Sequence, residues 1–250
     1  MAVYKSKGIV LRSIRYGEAD RILDLYTRDA GLVSAIAKGI RRTKSRFGAR
    51  LEPLSCVDFV AYQGRTLDTV TQAETLRSFQ GVREDLARFE AAAGMVGSVR
   101  ALSGGDEADR RVFNLLYNAL DTLEGTDSGF GSIEAALGLK LSVLAGYAPQ
   151  LDACLSCGTD LDEATEPLHF APGHGGVLCA ECRSQTGDAF PLAPGTLSSV
   201  RALIETPIRE APVQAGPREN VLRVVRSHIL AHAPGNTLIG RGLAGARRPA

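Results

Sequence analysis

The sequence predicts an α+β protein of more than one domain: a small five-stranded β-barrel, then an α-helical domain carrying an inserted four-cysteine zinc ribbon. Three observations carry this. Residues 1–80 alternate short β-prone segments with turn residues. From Arg83 the apolar residues fall three and four apart. Two matched cysteine pairs, Cys154-Leu-Ser-Cys157 and Cys179-Ala-Glu-Cys182, interrupt the helical part.

The β-prone segments are Gly8–Ile14, Ile22–Thr27, Gly31–Ala37, Leu54–Tyr62 and Leu67–Ala73, rich in Val, Ile, Leu, Thr and aromatics. Tyr16-Gly17-Glu18, Arg28-Asp29-Ala30-Gly31 and Gln63-Gly64-Arg65 punctuate them. Five short strands in this length fit an OB-fold, the commonest five-stranded barrel; periodicity alone leaves an SH3-like barrel open. Helical spacing follows over Arg83–Leu102, Asp109–Leu123 and Ile133–Tyr147, separated by Gly104-Gly105 and by the glycines from Gly125 to Gly131. Two later helices are expected, one from near Pro194 through Ile204 and one from Pro217, a good first-turn residue. The tail from Gly240 reads as disordered, and there are no internal repeats. The expected domains are thus 1–80 and 81–250, with the ribbon at 152–184.

Composition narrows the function classes. Hydrophobic content of 44% and charged content of 23% are those of a soluble globular chain. There is no apolar run of membrane-spanning length and no signal-peptide pattern at the N-terminus. The expected location is the cytoplasm, where paired cysteines bind metal more often than they form disulfides. The net charge of +1 hides an asymmetry. Residues 1–80 hold 14 Lys/Arg against 8 Asp/Glu, and the remainder 15 against 20. A basic N-terminal part joined to a mildly acidic remainder implies different partners for the two.

Cys154, Cys157, Cys179 and Cys182 are the expected ligands of one zinc ion. The 21 residues between the pairs form a loop that a hairpin can absorb. Gly158 follows the first pair, where a tight knuckle favours positive φ. Pro167–Ala171 and Val177-Leu178 read as two strands around Pro172-Gly173-His174-Gly175-Gly176. Four thiolates leave no open coordination position, so the site is structural. The competing readings are buried cysteines, a redox pair, or His169 or His174 as substitute ligands. His228 and His232 lack the Glu of a metalloprotease motif, because Ile229 stands there; they read as ordinary histidines. Cys56 reads as a small core residue.

The other signal is a basic run. Lys38, Arg41, Arg42, Lys44, Arg46 and Arg50 occur within thirteen positions without an acidic residue. Cations so close repel one another, and a loop carrying them suits a polyanion such as nucleic acid. Lys5, Lys7, Arg12 and Arg15 on the first strand extend the expected surface, and Tyr62 and Phe47 are candidate stacking platforms for bases. The bland alternative is a solvated loop without a ligand. No phosphate loop and no nucleophile elbow occur, so nothing points to ATP hydrolysis or acyl transfer. Glu18, Asp20 and Asp24 offer one enzymatic alternative, a metal-dependent nuclease; the other reading of these carboxylates is as solvent-facing partners of Arg15 and Arg21.

Several strings together resemble a known family: Gly8-Ile9-Val10-Leu11, Tyr16-Gly17-Glu18-Ala19-Asp20, Thr27, Gly31, Lys38-Gly39-Ile40-Arg41-Arg42, Pro53, Gly64-Arg65, Ala73-Glu74, and Gly175-Gly176-Val177-Leu178-Cys179. In this order, followed by the cysteine pairs, they resemble the bacterial recombination mediator RecO family over nearly the whole chain. The resemblance implies an N-terminal OB-fold and a helical domain with a zinc ribbon. It implies a non-enzymatic role in DNA repair and recombination. Such a protein binds single- and double-stranded DNA, anneals complementary strands, and acts with RecR to load RecA onto DNA coated by single-strand-binding protein. It places the protein in the cytoplasm at the nucleoid. Members do not all keep the four cysteines, and the family signature does not fix the DNA contacts; their assignment to Lys38–Arg50 rests on charge. A third reading is a protein–protein adaptor with no direct DNA role.

Overall fold

The computed structural model describes residues 2–43, 45, 47–103, 108–162, 166–213 and 218–233, without the side chains of 212, 213 and 218. The tail from Gly240, the pair Gly104-Gly105 and the helix start at Pro217 lie outside the described residues. The chain divides into two compact units: residues 1–92 with 103–124, and 93–102 with 125 onward.

In the first unit, five strands form a closed barrel: β1 (Val3–Tyr16), β2 (Asp20–Thr27), β3 (Gly31–Ala37), β4 (Cys56–Tyr62) and β5 (Asp68–Arg77), in the order β1-β2-β3-β5-β4. Only β3–β5 is parallel. β1 runs beyond its expected ends because it has two neighbours. Val3–Ile9 pair with β4 and Gly8–Tyr16 with β2, across a bulge between Val10 and Arg12. A bulge of this kind turns a strand from one neighbour to the next, which closure requires.

Alternation builds the core. Leu23, Leu25, Ala35, Ala37, Val57, Phe59, Ala61 and Val70 are buried together, and Ile40, Phe47 and Leu51 from the β3–β4 connection join them. Burial of each large apolar side chain contributes about 1.5–3 kcal/mol. Gly8 permits the close packing: a Cβ there would meet Phe59 Cε1 at 3.1 Å and Leu25 Cδ2 at 3.3 Å.

The expected helix Arg83–Leu102 is broken into α1 (Gln80–Glu84) and α2 (Leu86–Leu102). Asp85 between them is extended, and its carboxylate accepts the Arg88 N–H at 2.8 Å, a first-turn cap for α2. α3 (Arg110–Gly125) joins the first unit up to Glu124, with Tyr117 edge-on to Phe79 and Arg77 bridging Asp121 and Glu124.

In the second unit, α4 (Phe130–Leu144) is buried from Gly131 to Gly138 with one break at Ser132, as a central helix must be. It packs against α5 (Thr196–Glu205) and α6 (Arg218–His232). A Cβ on Gly138 would lie 2.6 Å from Val225, so α4 and α6 meet closely there. The ribbon sheet comprises β6 (His169–Ala171), β7 (Gly176–Leu178) and β8 (Phe190–Pro191), in the order β7-β6-β8; β8 was not expected from the sequence. Among the described residues no helix is long and apolar enough to cross a membrane.

Candidate nucleic-acid interface and metal centre

The basic run begins where β3 ends. Gly39, at φ +70°, turns the chain, and its N–H donates to Asp20 Oδ1 at 2.7 Å. The Arg41 N–H donates to the Ala19 carbonyl at 2.9 Å, and the Arg41 guanidinium to the Glu18 carbonyl at 2.9 Å. The loop is therefore fastened to the β1–β2 turn. Ile40, Phe47 and Leu51 point into the barrel, while Arg41, Arg42 and Arg50 between them lie outside. Lys38, Arg41, Arg42 and Arg50 are all exposed. Lys44 and Arg46 lie outside the described residues.

Strand alternation sorts the remaining candidates. Lys5, Lys7 and Arg12 are exposed on the barrel's outer side, with Lys5 3.1 Å from Asp58. Lys5 and Asp58 line a groove of about 350 Å³ with Arg50 and Glu74, so this end of the basic run faces mixed charge. Arg15 shares its register parity with Ser13, not Arg12, and lies directly opposite Arg21. Arg21 is bridged to Glu52 at 3.4 Å. Arg15 thus faces a different way from Arg12. Tyr62 is exposed at the end of β4. Phe47 is not: it is 1% exposed and plugs the barrel. An aromatic in a basic loop suggests a stacking platform, but this ring is the apolar anchor that holds the loop to the barrel core. Tyr16, which is not among the expected residues, is 54% exposed at the end of β1, opposite Asp20 in the register.

The three carboxylates do not assemble a metal site. Asp20 holds Gly39, and Asp24 Oδ1 accepts the Ser34 hydroxyl at 2.9 Å. Among the described residues, the four cysteines are the only group of three or more His, Cys, Asp or Glu side chains close enough to share a metal ion.

In the metal centre, the first knuckle is closed by Gly158 N–H to the Cys154 carbonyl at 3.0 Å, with Gly158 at φ +71° as its position demands. The second pair follows β7, and the Cys179 N–H donates to Cys154 Sγ at 3.4 Å. The four Sγ atoms lie within 4.8 Å of one another, and Cys157 Sγ is 3.8 Å from Cys179 Sγ. Tetrahedral zinc with Zn–S of about 2.3 Å requires S···S of about 3.8 Å. The cluster can hold a metal ion and is compatible with zinc. Four adjacent thiols cannot all ionise unaided: against the Ser156 hydroxyl, which favours the thiolate, burial and three neighbouring thiols push the Cys182 thiol up to about 12. A divalent cation removes that conflict. Cys154, Cys179 and Cys182 are buried and Cys157 is exposed.

The histidines stand apart from the cluster. His174 is 3.9 Å from Asp188, and His169 is half-buried in β6. His228 is buried, its Nε2 2.7 Å from the Tyr147 carbonyl, and its ring lies 4.4 Å from that of His232. Cys56 is a core residue whose thiol burial pushes up to about 11.

A closed barrel carrying a fastened basic loop and a helical unit bearing four clustered cysteines define a two-part protein; two family models match the chain, dividing it after the barrel strands rather than after α3. The model described as Recombination protein O N terminal matches residues 1–79; that described as Recombination protein O C terminal matches residues 83–238. The chain is 64% identical over 250 residues to a DNA repair protein RecO of Rubrobacter xylanophilus, covering 99% of this chain and 100% of that protein. It is 39% identical over 227 residues to a DNA repair protein RecO of Bifidobacterium longum subsp. infantis, covering 88% and 92%. It is 36% identical over 243 residues to one from Heliobacterium modesticaldum, covering 94% and 87%. The chain belongs to the RecO family.

Proposed function

We propose that this chain is a non-enzymatic recombination mediator in DNA repair. It binds single- and double-stranded DNA, anneals complementary strands, and acts with RecR to load RecA onto DNA coated by single-strand-binding protein, in the cytoplasm at the nucleoid. The names of its relatives and the family resemblance support this reading. Residues 1–80 act as the DNA-binding domain, of OB-fold class, and 81–250 as the helical domain; the strand order with its parallel β3–β5 pair and the limits of the two family models support that division. One zinc ion on Cys154, Cys157, Cys179 and Cys182 holds the ribbon.

The observation that carries the reading is the basic loop fastened to the β1–β2 turn, with Lys38, Arg41 and Arg42 exposed together. Pinning the backbone lowers the entropic cost of presenting these cations to phosphates. Cations on one surface neutralise phosphates of two strands, which lowers the repulsion opposing annealing. Base pairing supplies the free energy, so no ATP is used. Purified protein should accelerate annealing of complementary strands without nucleotide and leave both strands intact in Mg2+, with RecR changing the rate on coated DNA. Reproducible cleavage, or no acceleration with or without RecR, would overturn the reading.

A further inference from the structure

The four cysteines of the metal centre are not equivalent. Cys154, Cys179 and Cys182 are buried, and so is Cys56 in the barrel; Cys157 alone of the five is exposed. Its place explains this: Ser156 to Asp160, the outer turn of the first knuckle, are all exposed. Cys157 Sγ lies 3.3 Å from the Thr159 hydroxyl and 3.8 Å from Cys179 Sγ. Cys154 Sγ, by contrast, accepts the Cys179 N–H at 3.4 Å in a buried contact. The cluster therefore turns one sulfur to solvent, with a second sulfur in contact behind it.

The knuckles hold more than themselves. The Leu155 N–H donates to the Val177 carbonyl at 2.9 Å, which ties the first knuckle to β7. Gln150 adds two bonds to the same hairpin: its N–H donates to the Gly175 carbonyl at 2.8 Å, and its carbonyl accepts the Val177 N–H at 3.1 Å. Phe170 and Val177 of the ribbon are fully buried, and the Phe170 ring lies 6.0 Å from that of His228 on α6. The folded ribbon thus keeps its apolar side on the helical unit, and that fold depends on the knuckles staying closed.

We propose that the metal centre is a peroxide-sensitive latch: exposed Cys157 is oxidised first, Cys179 closes a disulfide with it, and zinc leaves together with the packing of the ribbon. This rests on the reading of the cluster as a zinc site. With zinc bound all four sulfurs are thiolates, so exposure decides which reacts first. The Cys157 thiolate attacks one peroxide oxygen; an S–O bond forms, the O–O bond breaks and hydroxide leaves. The Cys179 thiolate then attacks the Cys157 sulfur; the S–S bond forms, and the S–O bond breaks with loss of a second hydroxide. The two sulfurs give up two electrons, peroxide takes them, and zinc stays divalent. Cys154 and Cys182 remain, two ligands where tetrahedral zinc needs four. The ribbon then loosens, because metal binding supplies much of its folding energy, and uncovers Phe170 and Val177. A dithiol reduces the disulfide by exchange and returns the thiolates to the metal.

The test adds hydrogen peroxide to the zinc-loaded full-length protein. Zinc release is followed with a colorimetric chelator, and thiol pairing by peptide mapping without reductant. The bound zinc should leave, the disulfide should join Cys157 to Cys179, and Cys56 should stay reduced. Dithiothreitol with added zinc should restore the starting metal content. Cys157→His and Cys182→His each keep four ligands, since zinc also accepts three thiolates and an imidazole. Cys157→His should release zinc at least about fivefold more slowly than wild type, because the exposed thiolate is gone, whereas Cys182→His should stay within about twofold of wild type. Equal rates in the two variants, a first disulfide that omits Cys157, or peroxide that leaves zinc bound would overturn the proposal while the zinc site stands. The mapping needs no substitution, so it decides even where a variant binds zinc poorly. Wild-type protein that holds no zinc removes both the proposal and the reading beneath it.

Discussion

The Asp20 carboxylate accepts the Gly39 N–H at 2.7 Å, tying the start of β2 to the first turn of the basic loop. This contact turns a candidate metal ligand into a loop anchor. It predicts that Asp20→Ala weakens DNA binding several-fold by freeing the loop, whereas Asp20→Asn, which keeps the acceptor oxygen, is close to wild type. A loss in Asn equal to that in Ala would mean that the charge, not the acceptor, matters. Gly39→Ala tests the same joint from the other side, because a Cβ at φ +70° costs about 1 kcal/mol.

In the second unit, Arg226 donates through Nε and Nη2 to both oxygens of Glu134, at 2.8 and 2.9 Å, and Glu134 is almost wholly buried. Gly94 makes room for this pair: a Cβ there would sit 2.2 Å from Glu134 Oε1. Gly94→Ala should therefore cost about 2–4 kcal/mol, the range for breaking a buried pair or overpacking a core. Urea unfolding measures it; a loss below about 1 kcal/mol would show that the helices yield.

The metal centre predicts one zinc per chain. Cys157→Ala should lose zinc and expose the ribbon to protease between residues 152 and 184, while barrel strands keep their amide protection, since the ribbon's folding energy comes largely from the metal. Metal analysis that finds no zinc in wild-type protein, or full zinc in the variant, would contradict this.

His228 gives a pH dependence. Burial, then the neighbouring His232 against the Tyr147 carbonyl, holds its pKa below the usual histidine value. Its contribution to stability is fully present above the unfolded-state value of about 6.5. It is lost as pH falls below that and through the depressed folded value, because the unfolded chain takes up the proton first. His169 shifts in the same direction, chiefly through burial. The diagnostic is therefore a difference: the fall in Tm between pH 7.5 and 6 should be smaller in His228→Gln than in wild type, with zinc content unchanged. An identical fall in both would remove His228 from the explanation.

Much of this was legible in the sequence for physical reasons. Strand segments with two-residue alternation, such as Leu23 and Leu25 against Ile22 and Asp24, declared themselves, and so did the cysteine knuckles with Gly158 behind the first. The ends of β1 were not legible, because closure rather than apolar content extends the strand from Val3 to Tyr16. Asp85 was overlooked as a cap because the apolar spacing runs through it. Phe47 was misread since a ring in a loop looks alike whether it anchors or stacks.

The measurement closest to the central claim is the salt dependence of single-strand binding. With about five cations of the run on phosphates, log K against log[salt] should have a slope of roughly −3.5. Replacing Arg41, Arg42 and Lys44 by Ala should shrink it by roughly 2 and weaken unrelated sequences alike, since phosphate contacts carry no sequence information. Annealing should fall with binding, and Tm should stay within a few degrees. A triple variant with unchanged affinity and slope would contradict the claim and move the DNA surface to Lys5, Lys7 and Arg12 on the barrel wall.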